Sequence, residues 1–423
     1  MPAHRNVSRI ALSLLCAAVL LFSVWFALPS TRSRLIELTG EQAALPQLRA
    51  LWNLALELTR PPLHLAPETP VQYARDLSPF GVNTFLEQEV EEVKRERIAQ
   101  MIRDAGFTWV RQEFPWADIE IHAKGDFEDR RNRPARSAWD KYDHIVELIE
   151  RYDLELIVRL SAPPKWAHAG YADLGRFGPP ADFNDFADYV AAVVSRYKGR
   201  IRYYQIWNEP NIYPEWGEQA VNPEDYARLL CLAHDRAKQI DPNVVILAAA
   251  LAPTIAQDGR DLNDLIFLQR MYNAGAGRCF DIASAQGYGL FSGPYDRRLS
   301  PLTTNVSRHV LMRDIMVRNG DAHKPIWLAE ANWNAVPNTP DVIEGVGRYG
   351  MVTEEEQARY VPQLYERARR EWPWVGVIAV WFFKRPSDAE RNQSWYYFRM
   401  VEPDFTPLPL YQAMKEYIAR RSP

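Results

Sequence analysis

From residue 79 onward, short apolar runs alternate with amphipathic helical patterns eight times. The runs have the length of buried strands, and the segments between them repeat apolar residues at helical spacing. Eight consecutive units of this kind predict a (β/α)8 barrel. The predicted strands are Phe80–Phe85, Trp109–Glu113, Glu155–Leu160, Tyr203–Trp207, Val244–Ala250, Ile282–Gln286, Ile326–Glu330 and Val377–Phe382.

Two further considerations bear on this fold. Thr353 and Glu356 have the spacing of a capping box, which predicts that the seventh helix begins there. A doubly wound parallel sheet is the alternative, but it offers no reason for eight units. The sequence therefore predicts an α/β protein, a TIM barrel preceded by an N-terminal transmembrane helix.

The chain ahead of the barrel falls into three segments. Residues 1–9 form a short tail, and residues 10–28 hold no charged residue. Residues 29–78 carry leucines and alanines at helical spacing, which predict a juxtamembrane helix within 41–60, followed by a Pro-rich linker. The barrel domain is predicted to span residues 79–423.

The uncharged segment 10–28 is about 28 Å long as a helix, which is enough to cross the hydrocarbon core of a bilayer. It ends without a clean small-x-small cleavage site, which favours an uncleaved anchor over a cleaved signal peptide. The charge difference between its flanks is slight, and it favours a cytoplasmic N-terminus with the body outside. Secretion after cleavage stays open as the alternative. The flanking basic residues are Arg5, Arg9, Arg32 and Arg34.

Composition excludes several classes of function. With 50 Lys and Arg against 54 Asp and Glu, nothing in the charge predicts a nucleic-acid partner. The eight histidines lack ligand spacing, and no nucleotide-binding motif is present, so neither a metal nor a cofactor is expected. Of the three cysteines, Cys16 lies in the uncharged segment, and Cys231 and Cys279 are expected to be buried thiols.

Two glutamates follow apolar strands at the barrel face where active sites occur. Asn208 and Glu209 end the fourth strand in IWNEPN, and Glu330 ends the seventh in IWLAEANWN. An unpaired charge in such a place is costly, which favours a functional role for both. Glycosidic cleavage needs a pair of carboxyl groups, one to protonate the leaving oxygen and one to act on the sugar carbon. We therefore expect Glu209 and Glu330 to face each other across the barrel mouth.

The chain from about residue 80 to 420 resembles the clan A glycoside hydrolases, which are retaining (β/α)8 enzymes. It is most similar to family 39 and to family 5-like sequences, through the Asn-Glu-Pro tripeptide at 208–210 and the second glutamate 121 residues later. The resemblance implies that Glu209 is the acid/base, that Glu330 is the nucleophile, and that residues 79–423 are the catalytic domain. Further similar segments are FGVN, SAPPKW, EEEQARYV and DFTPLPLYQAMKEYI.

The chain departs from family 39 in two places. Family members usually carry a β-sandwich after the barrel, and too few residues follow the eighth strand here for one to be expected. The sixth strand often has histidine near its tyrosine, whereas here it reads Gln286-Gly287-Tyr288.

Other residues at the strand ends are candidates for substrate binding. Arg111 and Tyr288 are expected to donate to Glu330, although Arg111 has Glu113 as an alternative partner. Asn208 is assigned to the sugar 2-hydroxyl. The loop 334–352 contains three glycines and is either a lid or an ordinary excursion. The aromatic candidates are Trp381 as a floor under the sugar, and Trp116, Trp166 and Trp333, with His168 and Trp216, as walls of a cleft.

These patterns together favour one function over two alternatives. The favoured function is a retaining β-glycosidase that hydrolyses O-glycosidic bonds of a polysaccharide or oligosaccharide, anchored with its catalytic domain on the extracytoplasmic side. The shorter, membrane-attached relatives include bacterial hydrolases of exopolysaccharide, so exopolysaccharide machinery is an expected partner. The alternatives are a non-catalytic polysaccharide-binding barrel in such an assembly complex and a transglycosidase. A retaining enzyme also predicts carboxyl groups about 5–5.5 Å apart.

Overall fold

The computed structural model describes residues 28–131, 133–168, 175, 177–339 and 342–421. The predicted membrane segment, residues 10–28, lies outside the described residues except for its last residue. Within those ranges, every helix is too short or too polar to span a bilayer. The chain divides into two compact units: residues 28–60 with Ser292–Arg298, and Pro61–Phe291 with Leu299–Pro423.

The larger unit is built on a parallel sheet that closes almost completely into a barrel. Among the described residues the sheet has eight strands, and its order is β5-β4-β3-β2-β1-β8-β7-β6. Isolated parallel bridges join Leu247 to Ile282 and Leu251 to Ala285, which links the two ends of the sheet. The strands are β1 (Phe80–Thr84), β2 (Trp109–Pro115), β3 (Glu155–Ser161), β4 (Tyr203–Ile206), β5 (Val245–Leu247), β6 (Ala283–Gln286), β7 (Ile326–Ala331) and β8 (Val375–Val380).

Each strand leads into a helix that packs on the outside of the barrel, as the alternating pattern predicts. The seventh helix begins at the predicted capping box, in which Thr353 Oγ1 accepts from the Glu356 amide and the Glu356 carboxylate accepts from the Thr353 amide. The helices are α1 (Glu92–Asp104), α2 (Asp140–Arg151), α3 (Phe183–Arg196), α4 (Pro223–Ile240), α5 (Asp264–Asn273), α6 (His309–Arg318), α7 (Glu354–Glu371) and α8 (Pro409–Ala419).

The inside of the barrel is layered because alternate residues of a strand face the same way. The lowest layer, near the strand N-termini, is apolar and includes Trp109, Ile157, Tyr203 and Trp327. Two residues further along, β2 presents Arg111, and β4 presents Gln205. The polar layer therefore lies on top of the apolar one and next to the mouth, where the strands end.

The predicted strands are all present, and their bounds shift by a few residues. The largest difference is the fifth strand, predicted over Val244–Ala250 and observed over Val245–Leu247. The apolar run continues beyond Leu247, but its amide groups bond elsewhere. The Ala249 amide, for example, donates to the hydroxyl of Tyr226 on α4.

The smaller unit contains the predicted juxtamembrane helix, which spans Ala44–Glu57. A second helix, Pro29–Thr39, precedes it and was not predicted. Gly40 ends that helix with φ 73°, and a side chain there would meet Asp296 Cβ at 2.8 Å. Glycine is therefore required at this turn.

The cysteine prediction is wrong, because Cys231 and Cys279 form a disulfide. Cys231 lies on α4, and Cys279 ends the short 3₁₀ segment that follows α5. The two residues are 48 positions apart, a separation that carries no pairing signal in the sequence. The bond ties two neighbouring β/α units together on the outside of the barrel.

Candidate active site

Arg111 is the centre of the polar layer inside the barrel. It lies within β2 rather than after it, and only 3% of it is exposed. Its Nε donates to Gln205 Oε1 at 2.7 Å, and its Nη2 donates to Asn208 Oδ1 at 3.1 Å. Its Nη1 donates to Asn83 Oδ1 at 2.7 Å and to Glu330 Oε1 at 2.8 Å. The guanidinium thus contacts one residue from each of β1, β4 and β7, and Asn208 from the segment that follows β4.

Glu330 is held by two strong donors. Arg111 forms a buried ion pair with it, and the Tyr288 hydroxyl donates to its Oε2 at 2.7 Å. Burial raises the pKa of Tyr288 well above its usual value, and the charge of Glu330 adds to the rise, so Tyr288 keeps the proton that it donates. Both of these donors stabilise the carboxylate form of Glu330. The alternative pairing of Arg111 with Glu113 does not occur, because Glu113 pairs with Arg159.

The segment after β4 is strained in the backbone. Trp207 and Glu209 have φ of 73° and 35°, a region that non-glycine residues rarely occupy. Such conformations cost about 1–3 kcal/mol each and persist only where the surroundings enforce them. Trp207 is buried and donates from its indole to the Glu215 carbonyl at 2.8 Å, which fixes the turn. The strain turns the Glu209 side chain to its place in the mouth.

Glu209 has a different environment from Glu330. Its Oε1 accepts from the neutral Gln286 amide at 2.7 Å, and no ion pair involves it among the described residues. Burial raises the pKa of Glu209 well above its usual value, and the negative charge of Glu330 raises it further. This environment favours the protonated form of Glu209 over its carboxylate. The mouth therefore holds one carboxyl group bound by a cation and a phenol, and one whose surroundings favour the neutral form.

Further carboxyl groups line the mouth that the sequence analysis did not single out. Burial raises the pKa of Glu87 to about 7 and the pKa of Glu215 to about 7. The negative charge of Glu113 raises the pKa of both groups. Its ion-pair partner Arg159 lowers the pKa of Glu215. Glu113 follows Arg111 by two residues on the same face of β2, and this alternation was the available signal.

The aromatic candidates divide by exposure. Trp116 and Trp333 are both fully buried, so neither presents a face to a sugar. Trp116 stacks on Tyr189 with 14° between the ring planes, and Trp333 packs against Gly289. Their expected role as cleft walls is wrong, since their positions next to strand ends also suit core packing.

Two other candidate tryptophans remain accessible. Trp381 follows β8, is partly exposed, and is held edge-on by Phe85 and Phe382 at ring distances of 5.5 and 5.4 Å. Trp166 is also partly exposed and donates to the Glu120 carbonyl at 2.8 Å. Binding of a sugar by either indole stays a prediction.

Comparison of sequences finds a partial similarity to a known β-xylosidase. A search against family models found no match. A curated β-xylosidase of Geobacillus stearothermophilus is 25% identical over 120 residues, which cover 26% of this chain and 23% of that protein. This chain thus aligns with about a quarter of that relative's length.

Solved structures extend the similarity over the whole barrel. A family 39 glycoside hydrolase of Bacteroides cellulosilyticus superposes with a TM-score of 0.56 at 20% identity, covering 85% of this chain and 65% of that one. A monomeric β-xylosidase of Caulobacter crescentus superposes with a TM-score of 0.55 at 14% identity, covering 82% of this chain and 68% of that one. The chain therefore shares the barrel fold of these glycoside hydrolases. The predicted resemblance to family 39 is confirmed as a structural one.

Proposed function

We propose that this protein is a retaining β-glycosidase that hydrolyses O-glycosidic bonds of a polysaccharide or oligosaccharide. The observation that carries the proposal is the pair of carboxyl groups with opposite environments, Glu330 between Arg111 and Tyr288, and Glu209 beside a neutral amide. Two carboxyl groups tuned in this way are what glycosidic cleavage requires, and the retaining course of the reaction is proposed on the resemblance to clan A enzymes. The β-xylosidases among the similar proteins support the same reaction class.

The first step forms a covalent intermediate. The Glu330 carboxylate attacks the anomeric carbon while Glu209 donates its proton to the glycosidic oxygen. The carbon–oxygen bond of the glycoside breaks, the leaving sugar departs as an alcohol, and the donor sugar stays joined to Glu330 as an ester. Asn208, whose Oδ1 accepts from Arg111, is the residue that we propose for the 2-hydroxyl, where a hydrogen bond strengthens in the transition state.

The second step releases the sugar. Glu209, now a carboxylate, removes a proton from water, and the water oxygen attacks the anomeric carbon. The ester bond breaks, which returns Glu330 as a carboxylate and leaves Glu209 protonated. Arg111 and Tyr288 stabilise Glu330 as a leaving group, because both donate to its oxygens.

Trapping the intermediate tests this proposal directly. We expect a 2-deoxy-2-fluoro β-glycoside with a dinitrophenyl leaving group to inactivate the enzyme and to add one fluorosugar to the peptide containing Glu330. The sugar is chosen with a panel of aryl β-glycosides. Glu330→Gln is the control that should stay unlabelled. A wild-type enzyme without turnover or labelling on the whole panel would favour a non-catalytic binding barrel.

We also propose that the protein is anchored in a membrane with the catalytic domain on the extracytoplasmic side, with cleavage and secretion as the alternative. The uncharged run at 10–28 supports an anchor. The Cys231–Cys279 disulfide supports an oxidising compartment. Apolar side chains on one face of the helix Ala44–Glu57 are exposed, which suits contact with a lipid surface. They are Leu45 at 79%, Leu48 at 44%, Trp52 at 66% and Leu56 at 45%.

Fractionation distinguishes the two locations. We expect the full chain to stay with membranes after carbonate washing and to begin before residue 28. A soluble product whose N-terminus begins after residue 28 would establish secretion instead. Exopolysaccharide is the substrate source that we propose on the resemblance alone. It is tested by incubating the enzyme with purified cell-surface polysaccharides and measuring new reducing ends.

A further inference from the structure

Tyr349 lies in the loop after β7 and reaches the mouth of the barrel. Its ring lies 6.0 Å from that of Phe398, which lies 5.4 Å from that of Tyr288, the donor to Glu330. Burial raises the pKa of Tyr349, Arg348 opposes the rise, and the negative charge of Glu209 adds to it. The ring contacts place Tyr349 at the same mouth as Glu209, and its side chain forms no hydrogen bond with any residue that the structure describes.

The loop that carries Tyr349 is held in place on both sides. Gly350 has φ 74°, and a side chain there would lie 1.9 Å from the Leu290 carbonyl, so the loops after β6 and β7 pack directly on each other. The Val352 amide donates to the Asn334 carbonyl at 3.0 Å, and the Glu344 amide donates to the Asn392 carbonyl at 2.8 Å. These contacts fix the position of Tyr349 and favour a wall of the site over an open lid.

Gln286 supplies the second observation. Its Nε2 donates to Glu209, while its Oε1 is buried and has no hydrogen-bond partner within the described ranges. A buried carbonyl oxygen without a donor is unfavourable, because it has lost its hydrogen bonds to water. Both atoms belong to one amide group, so the free oxygen lies beside the Glu209 carboxyl group. A ligand hydroxyl at that place would satisfy it.

The side of the site follows from the chemistry of the proposed function, on which this inference rests. The acid stands beside the departing oxygen, whereas the nucleophile stands at the opposite face of the donor sugar. The Gln286 amide, which donates to Glu209, and the Tyr349 ring at the same mouth therefore face the sugar that leaves. We propose that Tyr349 and the Gln286 carbonyl oxygen form the binding site for the leaving-group sugar. This ligand is a neutral sugar residue. One of its hydroxyl groups donates a hydrogen bond to Gln286 Oε1, and its ring face or another hydroxyl group contacts Tyr349.

The test compares two substrates that share a donor sugar. One is a disaccharide, and the other is the β-glycosyl fluoride, whose leaving group does not fill the proposed site. The donor is the sugar of the best aryl β-glycoside, and 1,3- and 1,4-linked disaccharides are both used. We expect Tyr349→Ala to lower kcat/KM on the disaccharide about tenfold and to leave the fluoride within about twofold. Tyr349→Phe separates the hydroxyl from the ring.

Gln286→Leu gives an independent readout. It should lower kcat/KM on the disaccharide more than on the fluoride. It should also move the alkaline limb of the pH profile upward, because Gln286 no longer donates to the Glu209 carboxylate. Tyr152→Ala is the matched control, since Tyr152 is a partly buried tyrosine that contacts Glu96 on the outside of the barrel.

Each outcome has one meaning. Equal losses on the disaccharide and the fluoride would overturn the leaving-group site, and so would an unchanged disaccharide rate in a folded Tyr349→Ala variant, checked by its melting temperature. Failure of the proposed function is a separate result. In that case the wild type turns over neither substrate and Glu330 is not labelled.

Discussion

The two sides of the barrel mouth use similar residues to opposite effect. On the β7 side, Glu330 accepts from a guanidinium and a phenol. On the β4 side, Glu209 follows a strained turn and accepts from a carboxamide. The same side chain is therefore expected to take two roles, because its surroundings differ on the two sides. Arg111 and Tyr288 favour a negative charge on Glu330, whereas burial and the charge of Glu330 favour the protonated form of Glu209 against the weaker, opposing hydrogen bond from Gln286.

Removal of the nucleophile should have the largest effect. Glu330→Ala is expected to lower kcat by about 10⁴-fold or more, because the variant lacks the carboxylate that forms the ester. Steady-state hydrolysis of an aryl β-glycoside measures this. A Glu330→Ala enzyme that keeps more than about a tenth of the wild-type rate would contradict this assignment.

Removal of the acid should have an effect that depends on the leaving group. Glu209→Ala is expected to lower kcat/KM about 10²- to 10⁴-fold for sugar leaving groups, and far less for dinitrophenolate, which needs no proton. Added azide should partly restore the rate and yield a β-glycosyl azide. An α-configured azide product, or equal losses on good and poor leaving groups, would contradict the assignment.

The wild-type pH profile sharpens the same contrast. Since burial and Glu330 raise the pKa of Glu209, kcat/KM should fall with rising pH only well above the pH at which an ordinary glutamate ionises. The fall should be absent in Glu209→Ala with a dinitrophenyl substrate. A profile that already falls between pH 4 and 5 would mean that Glu209 is not the protonated group.

Loss of one donor to the nucleophile should cost less. Tyr288→Phe removes the hydrogen bond to Glu330 and is expected to lower kcat about 10- to 100-fold, since bonds to charged groups are worth about 1.5–3 kcal/mol. Tyr411→Phe, which removes a hydroxyl bonded to the Met101 carbonyl outside the site, is the control. A Tyr288→Phe enzyme with full activity would leave Arg111 as the sole important donor.

The smallest expected effect concerns the pH dependence of the unfolding free energy, and it comes from the side of the mouth that follows β4. Burial raises the folded-state pKa of Glu215 to about 7, so its stabilising contribution is complete below about pH 4.5 and is lost as pH rises through 7. The glutamine side chain of Glu215→Gln cannot ionise. From pH 5 to pH 8, the unfolding free energy of this variant should therefore fall by about 1–3 kcal/mol less than that of the wild type. Urea unfolding at both values measures this. Glu416→Gln, at an exposed site, should instead follow the wild type.

Much of this architecture could be predicted because barrel strands are long apolar runs at regular spacing. The runs gave all the strands and placed Asn208, Glu209 and Glu330 at one face. The helix predicted within residues 41–60 and the capping box at Thr353 are likewise present. Such features depend on local pattern, which a single sequence displays directly.

The remaining features depend on contacts between distant parts of the chain. Arg111 was expected at the end of its strand, but it lies well inside β2 and shares the inward face with Trp109 two residues earlier. Trp116 and Trp333 belong to the core because neighbouring helices and loops cover them. Tyr349 reaches the mouth because its loop is fixed against that of β6. The separation of the Glu209 and Glu330 carboxyl groups, about 5–5.5 Å for a retaining enzyme, stays a prediction for a crystal structure.

The hydrogen bonds of Arg111 have a consequence for how the enzyme is made. The guanidinium needs Asn83 from the start of the barrel, Gln205 from its middle and Glu330 from its seventh strand. A ribosome-bound chain that has not yet produced β7 lacks both the nucleophile and a counter-charge for Arg111. Hydrolysis would therefore begin only once translation has passed that strand and the barrel has closed. Under the proposed function, activity thus reports completed folding, and a nascent chain that ends before β7 would not cleave sugars.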